Sequence, residues 1–570
     1  MQSDYGRQLQ HGIKRRFALI GTRRVHFRRC GAGPPVVLIH GSPASSEILA
    51  GEMAALAGDF SCFAFDTPGY GDSAPLKAGA GSIAAVADAL ADTLRTLNFP
   101  PCPVFGSHTG AAIALELARR HPELTTGLIL DGVAMFTPQE QVEIFDGYFA
   151  PLVLDEMGGH FAHTWTRFRD LFIWFPWTRK CPENLNDASA PTAQRLQLWV
   201  SMFFRAAENY AATYRAAIAY GSDAADAIRQ LRVPAVFMAQ HSDMLFAHLD
   251  RLPPLPAGQS IERVNHVQKP AAIHRAALQF AARGPPPPDP VPRFGASVVS
   301  RGFVDFPHGQ VLIRLAGAAV ETRPLLLLHD APGSSLALEP LMQQLASRRR
   351  VVTVDLPGCG ESPPLALAQA SLADFAALVA RTLDGLQVES CDVYGQGFGS
   401  SLAIELGALN PRRFPKLTLH GLCLPDSGQR QELLDRYAPP IELAADGSHW
   451  YRTWLMLRDS LIYFPWYEGR ASALRRAPVG FDARQLHERT FEVLKQYQGY
   501  SQFIRAALGQ DAELRCRDAR LAGVALQLWD DPLHPFATWA DRQSTLVQSL
   551  ALPVAPATAG NLVNVLFGPA

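Results

Sequence analysis

The stretch Val104-Phe105-Gly106-Ser107-His108-Thr109-Gly110 runs directly into the helix-forming sequence Ala111-Ala112-Ile113-Ala114-Leu115-Glu116-Leu117-Ala118. A short apolar strand therefore meets a helix through a turn that has glycine at both ends. Glycine fits such a tight turn because a Cβ atom would clash with the neighbouring backbone. The pattern predicts a strand, a sharp turn and a helix, with the side chain of His108 projecting from the turn.

The turn has the spacing of a nucleophile elbow, G-x-S-x-G, in which a sharp strand-to-helix turn presents its central side chain to a pocket. The central residue here is His108, where a serine would usually stand. Ser107 comes one position too early. Adjacent side chains in such a turn point in different directions, so Ser107 is a poor substitute for the nucleophile.

Length and composition restrict the possible classes of protein. The 570 residues suffice for about two to four domains. The net charge of −1 and the lack of a long basic run argue against a nucleic-acid partner. The first residues have no apolar core of a signal peptide, and no stretch approaches about 18 apolar residues, so neither secretion nor a membrane span is expected. Eight cysteines without C-x-x-C pairs indicate reduced thiols in a cytoplasmic protein.

The chain repeats itself with a constant offset. Three matching pairs are each separated by 289 positions: His40 and His329, Asp66 and Asp355, His108 and Gly397. A register that holds over this length indicates the duplication of a whole domain.

We therefore expect one domain over residues 1–283, a proline-rich linker over 284–293 and a second domain over 294–570. Strands alternate with helices in each copy, which predicts an α/β fold with a doubly wound, mostly parallel sheet. The alternation stops in two aromatic-rich helical segments. These predict a lid over about 136–231 in the first copy and about 425–515 in the second.

The lid sequence is duplicated as well. His160, Trp165, Arg169, Asp170 and Trp177 return in the second copy at the same offset. One interpretation is an aromatic roof over a substrate pocket to which His160, Trp165 and Trp177 contribute. The other is packing, in which Trp165 and the Arg169–Asp170 pair hold the lid helices together.

These motifs, in this order, resemble the α/β-hydrolase superfamily, and the resemblance covers nearly the whole chain twice. It rests on His40-Gly41-Ser42-Pro43, on Asp66-Thr67-Pro68-Gly69-Tyr70-Gly71-Asp72-Ser73, on the elbow, on the lid and on a late acid and base. The sequence is most similar to the branch of epoxide hydrolases, haloalkane dehalogenases and C–C bond hydrolases. The resemblance implies two tandem α/β-hydrolase domains, each with an inserted helical lid.

The resemblance also implies roles for residues of the first copy. The backbone N–H groups of Ser42 and Thr109 would form an oxyanion hole. Asp243 and His266 would be the late acid and base, with Asp243 orienting the His266 ring. His40 would either brace the loop or line the pocket, and Asp131 would be an alternative acid or a helix cap.

The second copy lacks this machinery. Gly397 has no side chain at the elbow, Asp330 replaces the glycine of the His-Gly motif, and Asn561 replaces the base, while Asp531 keeps the acid. The second domain is therefore expected to be a pseudo-enzyme.

Three interpretations of His108 remain open. It could be a general acid/base that works with His266 and Asp243, a nucleophile that forms an acyl-imidazole, or a residue of a pocket that only binds a ligand. The first would allow hydrolysis or related acid/base chemistry, such as C–C or C–O cleavage or decarboxylation. His108, His266 and Asp243 are nominally a metal-ligand set, but with Asp243 behind the His266 ring they would not share a metal, so we expect neither metal nor cofactor.

The expected partner is a small, apolar, aromatic or acyl molecule under the lid. We expect the two halves of the chain to pack on each other, and the sequence leaves open whether the protein also forms a homodimer.

Overall fold

The computed structural model describes residues 12–551 except 78–80, 187–188, 282–283, 296–298, 308, 319–321, 423–424, 476–479, 513, 516–524 and 530–546. Asp531 and Asn561 lie outside the described residues. The chain forms two compact units. The first comprises Met1–Val153 and His163–Pro290, and the second comprises Leu154–Ala162 and Val291–Ala570.

The first unit is built on an eight-stranded sheet in the order β1-β2-β4-β3-β5-β6-β7-β8. The strands are β1 (Lys14–Ile20), β2 (Arg23–Cys30), β3 (Pro35–Ile39), β4 (Ser61–Phe65), β5 (Cys102–Ser107), β6 (Thr125–Asp131), β7 (Ala235–Gln240) and β8 (Gln259–Val264). The β1–β2 hairpin and the β2–β4 pair are antiparallel, and the remaining pairs are parallel. This arrangement confirms the predicted α/β fold.

Burial explains why the central strands appear in the sequence as apolar runs. All five residues of β3 and of β4 are buried, as expected for parallel strands covered by helices on both faces. The sequence of β8 gives no comparable signal for a strand. This strand lies at the sheet edge, half of its residues are exposed, and its polar sequence Gln-Ser-Ile-Glu-Arg-Val has no apolar run.

Helices cover the first sheet and build its lid. The covering helices are α1 (Ala50–Leu56), α2 (Ile83–Thr96), α3 (Thr109–Arg120) and α9 (Lys269–Gln279). Between β6 and β7 the chain forms α4 (Pro138–Phe145), α5 (Gly159–Ile173), α6 (Ala193–Ala206), α7 (Tyr210–Ala219) and α8 (Gly221–Gln230). None of the helices in the described part of the chain is long and apolar enough to cross a membrane.

The second unit repeats this topology in the order β9-β10-β12-β11-β13-β14-β15-β16. Its strands are β9 (Ser300–Phe306), β10 (Gly309–Ala316), β11 (Leu325–Leu328), β12 (Val351–Val354), β13 (Asp392–Gln396), β14 (Leu417–His420), β15 (Ala525–Trp529) and β16 (Val547–Ala551). Its helices are α10 (Glu339–Leu345), α11 (Leu372–Gly385), α12 (Phe398–Leu409), α13 (Ser427–Arg436), α14 (Ser448–Asp459), α15 (Ala483–Leu494) and α16 (Ser501–Gly509).

The second unit also contains Leu154–Ala162, a segment that the predicted boundaries keep in the first domain. Within this unit the Nε2 atom of His160 lies 3.1 Å from Nδ1 of His487. The Phe161 ring stacks on the rings of Trp450 and His487, at centroid distances of 5.4 and 5.5 Å. The segment is thus part of the aromatic core of the second unit.

The proline-rich segment is held to the first unit at its centre. The guanidinium groups of Arg16 and Arg29 both bind the carboxylate of Asp289, at 2.8 and 2.5 Å. The first part of the predicted linker therefore packs on β1 and β2 before the second unit begins.

Candidate functional site

The elbow is formed by the end of β5 and the start of α3. His108 at its apex has φ 51° and ψ −112°, a conformation that a residue other than glycine rarely adopts. A Cβ atom on Gly106 would lie 2.3 Å from the Gly110 carbonyl oxygen, and one on Gly110 would lie 2.2 Å from that of Ile39. Both glycines are thus required by the close approach of backbone, and the turn projects the imidazole of His108 into a cavity.

The His108 ring is held by the acid that follows β7. Its Nε2 atom lies 2.8 Å from Oδ2 of Asp243, and the backbone N–H of Leu245 donates to the other carboxylate oxygen at 2.8 Å. A hydrogen bond of this kind fixes the ring with Nε2–H directed at the carboxylate. No described residue bonds to Nδ1, so this nitrogen is the one available to a bound molecule.

The pair changes the acidity of both groups. Burial alone would lower the pKa of His108, but the charge of Asp243 and its hydrogen bond outweigh burial and raise this pKa above its usual value. Burial would raise the pKa of Asp243, but its contacts with His108 lower it to about 2. The dyad thus favours an imidazolium beside a carboxylate, and the neutral imidazole predominates only above the raised pKa.

His266 does not take the predicted place in this dyad. It is exposed in the turn after β8, and Asp243 gives its hydrogen bond to His108 instead. The physical reason is that the elbow already places the imidazole of His108 within hydrogen-bond distance of the Asp243 carboxylate. The prediction that Asp243 orients His266 is therefore wrong, as is the expectation that both histidines share one site.

The cavity beneath the lid has a volume of about 630 Å³. His108, Asp243 and Ser42 lie at its polar floor. Its roof is aromatic, as the sequence suggests, but it is made by other residues than those predicted. These are Tyr148, Phe172, Trp199 and Tyr214.

The predicted roof residues lie elsewhere. Trp165 is 2% exposed and does not line the cavity, although it precedes Phe172 on the same helix by about 10 Å. Trp177 packs behind the roof, where its indole N–H donates to the Tyr148 carbonyl oxygen at 3.2 Å. His160 belongs to the second unit. For these three residues, the packing interpretation fits the structure.

A second charged cluster lines the same cavity. The ammonium of Lys269 lies 2.7 Å from Oδ2 of Asp131 and 3.7 Å from the carboxylate of Glu52. Ser107 Oγ donates to the same Asp131 oxygen at 3.2 Å. Burial would lower the pKa of Lys269, but the charges of Asp131 and Glu52 raise it, so this ammonium stays charged.

Asp131 is therefore an ion-pair partner and neither a helix cap nor the acid of the dyad. Lys269 is missed by the sequence analysis, although it begins α9 only three positions after His266. The signal that could have found it is its place in the loop where the resemblance puts the base. Ser107 lines the cavity too, but its hydroxyl is bonded to Asp131.

The loop after β3 lies beside the elbow. His40 is 1% exposed; its Nε2 atom accepts from the Thr67 N–H at 3.0 Å, and its Nδ1 atom lies 3.0 Å from the Gly41 carbonyl oxygen. Burial lowers the pKa of His40, consistent with a neutral ring that braces the loop. The Ser42 N–H makes a long 3.4 Å bond to Oγ1 of Thr109, so the two residues predicted to form the oxyanion hole are neighbours.

One cluster in the described part of the chain has the spacing of metal ligands: His26, Asp66 and Asp72. The Asp66 carboxylate already accepts from the backbone N–H groups of Ser46 and Asp72, at 2.7 and 2.9 Å, and faces Nδ1 of His26 at 2.7 Å. These bonds tie β2 to the turn after β4, so the cluster has a structural explanation.

Comparisons with known proteins agree with this architecture. A family model described as alpha/beta hydrolase fold matches residues 34–252 and 323–459. A proline iminopeptidase from Lactobacillus delbrueckii subsp. lactis is 31% identical over 156 residues, which cover 26% of this chain and 53% of that protein. A 2-hydroxymuconate semialdehyde hydrolase from Pseudomonas sp. (strain CF600) is 29% identical over 137 residues, or 24% of this chain and 45% of that protein.

The matches span 32% to 53% of the length of the first curated relatives. Among solved structures, an epoxide hydrolase from an endophytic Streptomyces aligns with a TM-score of 0.37 and 19% identity, covering 47% of this chain and 95% of that one. The family model matches more than half of the chain, in segments on both sides of the proline-rich segment. The protein therefore belongs to the alpha/beta hydrolase fold family.

Proposed function

We propose that the first unit is a hydrolase in which the His108–Asp243 dyad is the general acid/base at the elbow, acting on a small apolar, aromatic or acyl substrate. The observation that carries the proposal is the 2.8 Å hydrogen bond from His108 to Asp243 at the floor of the 630 Å³ cavity. A pocket that only bound an apolar ligand would gain little from an oriented imidazole–carboxylate pair.

In the proposed reaction, the neutral form of His108 keeps its proton on Nε2, directed at Asp243. Nδ1 then accepts a proton from a water molecule, and the oxygen of that water attacks the electrophilic carbon of the substrate. The resulting imidazolium is stabilised by the Asp243 carboxylate, and its Nδ1–H returns the proton to the leaving group. General acid/base catalysis of this kind contributes roughly 10²–10⁴-fold to the rate.

The negative oxygen that forms on the substrate would be bound by the backbone N–H groups of Ser42 and Thr109. The Ser42 N–H makes only the long bond to Thr109 Oγ1, so exchanging it for a bond to an oxyanion costs little. Each such donor is worth on the order of 10²–10³ in rate. The same hole would stabilise an enolate, which extends the proposal to C–C cleavage.

Attack by His108 itself is less well supported. The acyl-imidazole would form at Nδ1, the same nitrogen that activates water. Such adducts are reactive, and enzymes rarely use them as covalent intermediates. The water-activating route uses the ring in its observed orientation and needs no second histidine, consistent with the exposed position of His266.

The cavity supports the substrate class. Tyr148, Phe172, Trp199 and Tyr214 give the roof large aromatic faces, and His108 and Asp243 place polar groups opposite them. The partial likeness to a hydrolase named for 2-hydroxymuconate semialdehyde is compatible with a small carbonyl compound as substrate.

The test is a panel of aryl esters, lactones and vinylogous diketones, incubated with the wild type, His108→Ala and His266→Ala. Hydrolysis by the wild type that falls at least 100-fold in His108→Ala, and is retained in His266→Ala, supports the proposal. Ligands that raise the melting temperature of the wild type without any turnover would instead support a binding protein. Equal turnover by wild type and His108→Ala would exclude the dyad.

A further inference from the structure

At the elbow of the second unit, the glycine and the side-chain-bearing residue have exchanged places relative to the first unit. The first unit has glycine at position 41 and a side chain at His108, whereas the second has a side chain at Asp330 and glycine at position 397. We propose that the oxyanion hole of the second unit is a complete carboxylate-binding site and that Asp330 is its permanent, covalently attached ligand.

The hydrogen bonds of Asp330 carry this inference. Its Oδ1 atom accepts from the backbone N–H of Ala331 at 2.8 Å and from that of Phe398 at 2.9 Å. At the 289-residue offset these donors correspond to Ser42 and Thr109, the pair assigned to the oxyanion hole of the first unit. Two N–H groups converging on one anionic oxygen, one of them at the start of α12, is the arrangement that binds an oxyanion.

The loop that supplies the donors keeps the geometry of its counterpart. Nε2 of His329 accepts from the Leu356 N–H at 3.0 Å, as His40 does from Thr67, and its Nδ1 atom faces the carbonyl oxygen of the next residue. Gly397 has φ 52°, within a degree of the 51° of His108. The second unit has therefore retained the backbone geometry of the oxyanion hole, and the Asp330 carboxylate occupies it.

Gly397 and Asp330 depend on each other. A Cβ atom on Gly397 would lie 2.0 Å from Oδ1 of Asp330, far inside contact distance. No side chain can occupy the elbow while the carboxylate is in the hole. Placing serine at position 397 alone would consequently not restore a nucleophile, because both oxyanion donors are already bound.

The class of ligand follows from the chemistry. Removal of the Asp330 side chain leaves two convergent N–H donors and a space that matches a small carboxylate such as formate. Asp330 is exposed, so a free anion can reach the hole from solvent. The inference concerns the second unit alone and stands whether or not the first unit is an enzyme.

The experiment measures the melting temperature of the full chain as wild type, Asp330→Gly and Asp330→Asn, in sodium formate, in sodium chloride of equal ionic strength and in formamide. Asp330→Gly should melt below the wild type and recover about 2–4 °C in formate only. Asp330→Asn keeps the hole filled and should show no formate-specific recovery. Formate that stabilises Asp330→Gly no more than chloride does would overturn the proposal.

A double-mutant cycle covers the case in which Asp330→Gly folds poorly. Gly397→Ala introduces the same backbone strain in both backgrounds, but meets the carboxylate only when Asp330 is present. Gly397→Ala should therefore lower the melting temperature of the wild type. The same substitution should lower the melting temperature of Asp330→Gly by clearly less. Equal losses in the two backgrounds would contradict the occupied hole.

Discussion

Nε2 of His108 lies 2.8 Å from Oδ2 of Asp243, so the residue at the elbow and the acid after β7 are joined directly. In a triad, a third residue stands between these two positions. Here the imidazole takes both the place of the nucleophile and the bond to the acid. His108 and Asp243 therefore form a dyad with a single imidazole ring.

The first prediction concerns the titration of that ring. The imidazole of His108, followed by NMR in specifically labelled protein, should titrate above the usual value of about 6.5 because Asp243 stabilises its charged form. In Asp243→Asn the midpoint should fall below that of the wild type, because burial then dominates. An unchanged midpoint in Asp243→Asn would show that the carboxylate does not control the ring.

The second prediction concerns stability against pH. Since the pKa of His108 is raised on folding, its charged form stabilises the native state fully below about pH 6.5, and this contribution is lost as pH rises through the raised value. The pKa of Asp243 is lowered to about 2, so its contribution is present above about pH 3.8 and is lost as pH falls toward 2. The stability difference between the wild type and His108→Gln should thus be largest between these limits, as measured by denaturant unfolding across pH.

The third prediction concerns the Lys269–Asp131 pair. Lys269→Met leaves the carboxylate of Asp131, which is 1% exposed, without its cation and should cost about 3 kcal/mol or more. Lys269→Met/Asp131→Asn should recover much of this loss, because the buried side chain at position 131 then carries no charge. Arg229→Met is the control: both side chains of its pair with Asp226 are exposed, so its loss should cost less than about 1 kcal/mol.

The fourth prediction separates the roof from the core of the lid. Trp199→Ala should weaken binding of aromatic ligands with little change in melting temperature, since Trp199 lines the cavity. Trp165→Ala should instead lower stability by about 3–5 kcal/mol, because this side chain is fully enclosed. Isothermal titration and thermal unfolding of both variants distinguish the two effects, and the reverse pattern would restore Trp165 to the roof.

The sequence predicts the fold well where the physical signal is local and strong. Buried strands such as β3 read as apolar runs, and the constant offset of the repeat carries the topology from one copy to the other. The elbow is predicted because its two glycines are required: a Cβ atom on either one would lie 2.2 or 2.3 Å from a backbone oxygen. The polar edge strand β8 has no such signal and is missed.

The site is predicted less completely, because side-chain pairing depends on three-dimensional position. Asp243 has two candidate partners in the sequence, His108 and His266, and only the geometry of the elbow decides between them. Lys269 looks like any lysine at a helix start until Asp131 is found 2.7 Å away. Trp165 and Phe172 lie on one helix, and the sequence alone does not tell which of the two lines the cavity.

The nine residues Leu154–Ala162 belong to the second unit although they precede it in the chain. A fragment starting at Val291 would lack Phe161, whose ring stacks on Trp450 and His487. Cutting the gene at the proline-rich segment would therefore yield an incomplete partner with exposed aromatic surface. The proline-rich segment is therefore not a point at which the gene could be divided into two structurally complete domains.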